Sequence, residues 1–362
     1  MFFACTAVVT PGYADSPFAV EVVAFEPAPG QFAQSMDYDD PLRALGAPLG
    51  DNPSEPNNTS LVSLGGFGGS LTLAFDRTVR DDPANPFGLD AIVYGNPLWV
   101  SGDTTRRWAE CGVIEISRDA NSNGIADDTW FVIPGSHINP DSIPYETRTW
   151  DDDTADNTYP PVIASWIPPG QSGTWTTEGY RLPSNRFDQY IIANTNGTAA
   201  IEEDIWGYAD FTPTRGLPVG ADANEFYTRP DNPFVVGLTA GAGGGDGFDI
   251  AWAIDGVTGD PAGLNGFDFV RIRTAVDAVF FNPPFGELST EIDAVADVEE
   301  GRFGDAENDG DIDLADHQIL QECLSGPGVV APTSPCRVMD FDQDGDIDLA
   351  DWSRFQLVYG WQ

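Results

Sequence analysis

Two short segments near the C-terminus carry acids at the spacing of a cage for a hard cation. "DAENDGDIDLAD" (305–316) and "DFDQDGDIDLAD" (340–351) share the octet DGDIDLAD, repeated identically. In each, oxygen-bearing side chains hold loop positions 1, 3, 5 and 9, glycine holds position 6 and an acid closes position 12, which is the ligand order of a calcium loop. The ligands expected in the first loop are Asp305, Glu307, Asp309, Asp313 and Asp316, with Asp311 offering its backbone carbonyl. In the second they are Asp340, Asp342, Asp344, Asp348 and Asp351, with Asp346 in the carbonyl position. Gly310 and Gly345 allow the sharp turn at position 6. Like charges packed this densely repel one another, and Ca2+ removes the repulsion, so two calcium ions are the expected cofactors. Ile312 and Ile347, at position 8, are expected to point inward and pair the loops through a short β-bridge.

A third segment, "DANSNGIADDTW" (119–130), repeats the beginning of the pattern. Asp119, Asn121 and Asn123 supply side-chain oxygens, Ile125 a carbonyl, and Asp127 and Asp128 complete a shell. Two readings stay open: a third calcium site, or a polar hairpin loop without metal.

The elements that would hold these loops differ along the chain. Each C-terminal loop is followed by apolar residues at helical spacing, Ile319, Leu320 and Cys323 after the first and Trp352, Phe355 and Val358 after the second, ending near Gly326 and Gly360. Neither loop is preceded by such a stripe, so each is a loop-then-helix half. Cys323 and Cys336 either form a disulfide, stabilising by roughly 3 kcal/mol if chain entropy dominates, or remain two buried thiols. Upstream, short runs bounded by Gly, Pro, Asn or Asp follow one another: SLTLAF (70–75), AIVYG (91–95), GVIEIS (112–117), TWFVIP (129–134), YIIAN (190–194), DIAWAI (249–254) and FDFVRIRT (267–274). Such strands with close turns predict a mainly β chain, an antiparallel β-sandwich or jelly roll over residues 20–298, joined to a small α-helical paired calcium-loop domain at 303–362.

Composition narrows the chemistry. Asp and Glu number 58 against 16 Lys and Arg, a formal net charge of -42, and every one of those bases is Arg. Nucleic acid is therefore not an expected partner, since polyanion binding needs basic side chains. The lack of lysine excludes Schiff-base, pyridoxal-phosphate and P-loop chemistry, so the glycine-rich GAGGGDG (241–247) is a loop. His137 and His317 are the only histidines, too few for a multi-histidine zinc site. Glycoside hydrolysis would need two carboxylates with separated pKa values, and Glu110, Glu115, Asp249 and Glu291 are candidates among many acids. Trp99, Trp108, Trp150, Trp166 and Trp175 fall in loop-like sequence, where they either stack on a sugar or pack in the core. Residues 1–19 read as the remnant of an export signal or as a first strand, and Cys111 stands alone. No stretch has the roughly 20 apolar residues of a membrane span.

The duplicated calcium loop with its following helix resembles the dockerin type I module of secreted bacterial proteins, in the form abundant among planctomycete-type exported proteins. That resemblance implies attachment to a cohesin-like or other surface protein. Positions 10 and 11, often Ser or Thr at the cohesin contact, are Leu314-Ala315 and Leu349-Ala350 here, which points away from classical cohesin binding. Upstream, "LVSLGGFGGSLTLAFDRTV" (61–79), "IVYGN" (92–96), "VIEISRDANSNGIADDTWFVIPGS" (113–136), "WGYAD" (206–210), "GFDIAWAID" (247–255) and "GFDFVRI" with "GELSTEIDAV" (266–272, 286–295) resemble, in order, bacterial cell-surface proteins with a galactose-binding-like β-sandwich. The resemblance implies a glycan or small ligand. The expected function is an exported, calcium-binding, non-catalytic protein of the cell surface or medium. A dockerin-bearing glycoside hydrolase is the first alternative, and a structural surface or matrix protein the second.

Overall fold

The computed structural model describes residues 16–28, 30–32, 38–83, 85–136, 138–142, 146–151, 172–177, 181–183, 187, 190–193, 205–233, 236–239, 241–280, 286–298, 304–306, 312–329, 336–341 and 346–360. His137, Trp166, Glu307, Asp309, Asp311, Asp342, Asp344 and residues 1–15 lie outside the described residues, as do the position-6 glycines of both C-terminal loops.

The chain is mainly β, with antiparallel sheets and few helices. Nine strands frame the body: β1 Glu21–Glu26, β2 Ser70–Arg80, β3 Ala91–Tyr94, β4 Gly112–Ser117, β5 Trp130–Val132, β6 Asp246–Phe248, β7 Ile254–Asp255, β8 Gly266–Thr274 and β9 Ala294–Asp297. Six form one antiparallel sheet in the order β1-β2-β8-β4-β5-β7, and three form another in the order β6-β3-β9. Strand periodicity sends alternate side chains to opposite faces. Leu71 and Leu73 of β2, Ile114 and Ile116 of β4, and Val270 and Ile272 of β8 thereby share one core with Ala91 and Val93 of β3 and Val295 of β9. The intervening Ile92, Tyr94, Ala294 and Ala296 meet Phe226 and Tyr227 in a second cluster. β3 is thus buried on both faces, which is why its sequence AIVY shows no polar alternation.

Of the runs expected as strands, DIAWAI departs. The Asp249 side chain accepts from the Ala251 N–H at 2.7 Å, capping a 3-10 turn over Ile250–Trp252, so that β7 begins only at Ile254. A short local hydrogen bond of this kind competes with sheet pairing. Pro17–Ala19, assigned to the export signal from sequence, pack into the body. Phe18 bridges Ala296, the Ala19 N–H donates to the Val295 carbonyl at 2.9 Å, and both side chains are buried because the apolar faces of β9 need cover. The tryptophans placed on loops also move. Trp99 and Trp108 stand on the paired strands Leu98–Trp99 and Arg106–Trp108, and Trp150 and Trp175 on the hairpin Glu146–Asp151 with Ser172–Thr177. Their neighbours are rich in Thr, which favours pleated backbone.

Two helices, α1 Leu314–Cys323 and α2 Leu349–Val358, follow the acidic loops. Leu320 and Phe355 from the helices, with Ile312, Ile347 and Met339, form a separate small core. Cys323 is bonded to Cys336 across thirteen residues of chain, Cα to Cα 5.3 Å. Gly326 and Gly360, at φ of +85° and +86°, take the left-handed turn that ends each helical segment. Among the described residues, no helix is long and apolar enough to cross a membrane.

One ion triad ties the sheet together. Glu115 on β4 faces Arg271 on β8, with Arg273 beside it, at 2.6 and 2.7 Å. Burial alone would raise the Glu115 carboxyl, but the guanidiniums of Arg273 and Arg271 outweigh it and hold the group below its ordinary range. Replacing Glu115 by Gln leaves two guanidiniums out of water without their counterion. The expected loss is about 3 kcal/mol of unfolding free energy, measured by urea titration of tryptophan fluorescence.

Candidate functional sites: paired acidic loops and a carboxylate-lined pocket

The two C-terminal loops repeat one hydrogen-bond scheme. In the first, Asp316 Oδ1 accepts from the Ala306 N–H at 2.6 Å and Oδ2 from the Asp313 N–H at 2.8 Å. In the second, Asp351 Oδ1 accepts from the Phe341 N–H at 2.7 Å and Oδ2 from the Asp348 N–H at 2.8 Å. Each position-12 carboxylate therefore reaches back to the start of its own loop, and both are fully buried. Asp313 and Asp348, at position 9, accept from the N–H of Ala315 and Ala350 at 2.7 Å and cap their helices. A capping box is formed at each helix start. Positions 9 and 12 thus have a backbone role beside any metal role.

The loops also serve each other. Ile312 and Ile347 are buried in the shared core. The Ile347 carbonyl accepts from the N–H of Ser325 and Gly326, just after α1, while the Ile312 carbonyl accepts from the N–H of Gly360, just after α2. Each loop thereby closes the end of the other loop's helix. Side-chain oxygens of Asp346, Asp348 and Asp351 lie within 4.8 Å of one another, close enough to share one cation. Asp346, expected to offer a carbonyl, thus also brings its carboxylate to the group, and that carboxylate accepts from the Gly328 N–H as well. Asp305 is buried at the mouth of the first loop, and Asp340 borders the second.

In the 119–128 loop the expected side chains converge. Asp119 accepts from the N–H of Asn123 at 3.0 Å and of Gly124 at 2.7 Å. Asn123 Nδ2 donates to Asp127 at 3.2 Å, Asn121 Nδ2 reaches Asp127 and Asp128 at 3.4 Å, and Asp128 accepts from the Ala120 N–H at 3.0 Å. The Ile125 carbonyl accepts from the Asp127 N–H at 2.8 Å. Asn123 Oδ1 accepts from the Ile125 N–H, so this loop is an exposed web of internal hydrogen bonds.

A cavity of about 300 Å³ opens where β3 ends and β4 begins. Its apolar walls come from Phe32, Tyr38 and Trp108, and its amides from Gln31, Asn58 and Asn96. Three carboxylates line it, Glu110, Asp210 and Glu291, all nearly or fully buried. They come from distant stretches that the sheets draw together. Ala209 and Gly112 exchange two backbone hydrogen bonds at 2.9 Å, which sets Asp210 beside Glu110. Asp210 takes φ of +59° and accepts from the N–H of Asn96 at 3.1 Å and of Glu291 at 2.9 Å. A Cβ on Gly95 would come within 2.3 Å of Asp210 Oδ1, so only glycine fits there. Glu291 accepts from Ser63 Oγ and from Asn96 Nδ2, both at 2.7 Å. Glu110 differs: its Oε1 is buried and makes no hydrogen bond among the described residues.

Electrostatics follow from this crowding. Burial, then the charges of Glu291 and Asp210, push Glu110 well above the ordinary carboxylate range. Burial also raises Asp210 and Glu291, opposed in part by the hydrogen bonds each accepts. Of the four acids considered for hydrolysis, Glu110 and Glu291 meet in this pocket, Glu115 sits in its ion triad, and Asp249 lies elsewhere. Asp249 joins Asp81 and Asp90 in a second group of oxygens within 4.8 Å, and burial lifts Asp90 to about 8. Asp210, Asn96 and Asn58 were not anticipated. "WGYAD" and "IVYGN" were noted as motifs, but no spacing in the chain links them.

No family model matches the chain, and no curated protein is similar to it.

Asp293, next to the pocket strand, gives a test of these buried acids. Its Oδ2 accepts from the Leu49 N–H at 2.7 Å while its Oδ1 makes no hydrogen bond among the described residues, and burial raises the carboxyl to about 7 from 3.8. Between those values the folded chain keeps a proton that the unfolded chain releases, so stability falls as pH rises through this interval. Asp293→Asn, which retains the acceptor for Leu49, is expected to match the wild type near pH 4. By pH 8 it should exceed it by roughly 1–3 kcal/mol, read from chemical denaturation at each pH.

Proposed function

We propose that this is an exported calcium-binding protein without catalytic activity. Its antiparallel sheets form the two layers of a β-sandwich that binds a glycan or other small ligand, and its C-terminal module holds Ca2+ and attaches the chain to a surface partner. The observation that carries the calcium reading is the doubled geometry at the C-terminus. Two segments with the calcium-loop ligand order share the same hydrogen bonds at their described ends, each drawing a fully buried position-12 carboxylate back onto the start of its own loop. Six acids crowd each loop, a density of like charge that a divalent ion relieves.

Binding in the body is supported by the cavity beside β3, which combines aromatic walls with amides and carboxylates, the lining typical of small-ligand sites. Its volume of about 300 Å³ falls at the small end of such sites, roughly 300–1,000 Å³. Glycoside hydrolysis is the second reading, favoured by the meeting of Glu110 and Glu291. In that reading the two hydrogen bonds accepted by each of Asp210 and Glu291 would fix the orientation of the carboxylates. Turnover of a chromogenic polysaccharide panel would establish the hydrolase reading instead.

The calcium reading makes a direct prediction. Calorimetry of metal-free protein should show tight binding at both C-terminal loops. A chelator should remove most of the helical signal of residues 303–362, since a small core cannot hold so many unpaired carboxylates. Unchanged circular dichroism and melting on chelation would refute it.

A further inference from the structure

The two halves of the C-terminal module match at positions 9 and 12 but differ in what holds position 8. In the second loop the segment that follows α1 does so. The Ile347 carbonyl accepts from the N–H of Ser325 at 3.0 Å and of Gly326 at 3.1 Å, and the Ile347 N–H donates to Ser325 Oγ at 3.2 Å. Ser325 Oγ donates in turn to the Val329 carbonyl at 2.9 Å, closing a turn whose Gly328 N–H donates to the Asp346 carboxylate. In the first loop, among the described residues, the Ile312 carbonyl accepts from the Gly360 N–H at 2.7 Å, and no such turn stands beside it.

That turn hangs from a covalent bond. Cys323, the last residue of α1, is bonded to Cys336, and the turn begins two residues after it. From Cys336 the chain runs as the 3-10 turn Cys336–Met339 straight into Asp340, position 1 of the second loop. The cross-link therefore ties the segment that holds positions 7 and 8 of the second loop to the segment that delivers its position 1. Asp346 is also one of the three acids whose oxygens gather within 4.8 Å. The first loop meets the 3-10 turn where the Gly304 N–H donates to the Val338 carbonyl at 2.9 Å, but no cross-link spans its own two ends. A cation site bears the cost of ordering its ligands, so a constraint that orders them beforehand raises affinity. With only a handful of core side chains, the module has little else to keep the turn in place once the bond is open.

We propose that the Cys323–Cys336 disulfide is a redox-sensitive control on calcium affinity, acting at the second loop far more than at the first. This rests on the calcium reading of the loops and adds a regulation to it. A small dithiol opens the bond by exchange. One of its thiolates attacks a protein sulfur and forms a mixed disulfide, and its second thiolate resolves it. The dithiol leaves as a disulfide, and the protein takes up two electrons and two protons as two thiols. Both cysteines are buried, so exchange proceeds when the module loosens. Linkage makes the coupling reciprocal: the factor that reduction takes from calcium affinity is the factor that calcium adds to the bond's resistance to reduction.

Calcium calorimetry on the full chain tests this loop by loop. Asp305→Asn impairs the first cage and leaves the second whole, and Asp340→Asn does the reverse. Each is titrated with the bond intact and with it removed by Cys323→Ser together with Cys336→Ser. The expected result is an affinity loss of about tenfold or more at the second loop and of less than about threefold at the first. A smaller loss at the second loop, or a larger one at the first, overturns the proposal while the calcium reading stands. If the wild type with its bond intact binds no calcium, the calcium reading falls and takes the proposal with it. A wild-type measurement covers variants that fail to fold. Equilibration with dithiothreitol, followed by trapping of thiols, gives the ratio of reduced to bonded protein with and without calcium. Calcium is expected to shift that ratio about tenfold or more toward the disulfide, and a smaller shift overturns the coupling.

Discussion

A carboxylate taken out of water in this chain meets few cations of the protein's own, because 58 acids share 16 arginines and there is no lysine. Each buried acid must therefore find another kind of partner, and much of the architecture can be read as the set of solutions. Glu115 takes the direct one, with Arg271 and Arg273 at its side. Asp210, Asp316 and Asp351 use backbone N–H groups that the fold has left without carbonyl partners, each carboxylate accepting two. Asp90 accepts three hydrogen bonds, and burial still pushes it toward keeping its proton.

The same constraint explains why the two functional regions look so different. In the second C-terminal loop the oxygens of Asp346, Asp348 and Asp351, close in sequence, lie within 4.8 Å of one another, a spacing that suits a small, hard ion. In the pocket the acids arrive from three separated stretches, at β-strand ends, and stand around a cavity rather than a point. The pocket depends on glycine where backbone passes close to a carboxylate, as Gly95 does beneath Asp210.

Reciprocity gives the small module its coherence. Its core is only a handful of side chains, too few to hold two charged loops by burial alone. The disulfide, the paired capping boxes and the exchange of backbone hydrogen bonds between each loop and the other's helix end together make one unit of two halves. The sheets of the body need no such device, since β3 is packed on both faces and the strands on either side share one core.

How much of this was legible beforehand follows from the range of each interaction. The ligand order of the acidic loops, the helices after them and most strands depend on neighbours within a dozen residues, and periodicity or glycine placement reveals them directly. DIAWAI was misread because its alternation suits a strand while one aspartate hydrogen bond, invisible to periodicity, bends it into a 3-10 turn. The pocket lay beyond sequence reading altogether. Glu110, Asp210 and Glu291 are 100, then 81, residues apart along the chain, and in an acid-rich sequence no local signal separates them from the rest. Sequence alone decided that carboxylates would dominate the chemistry. Only strand pairing, which sets Ala209 against Gly112 and the end of β3 against Glu291, decided which of them would face one another.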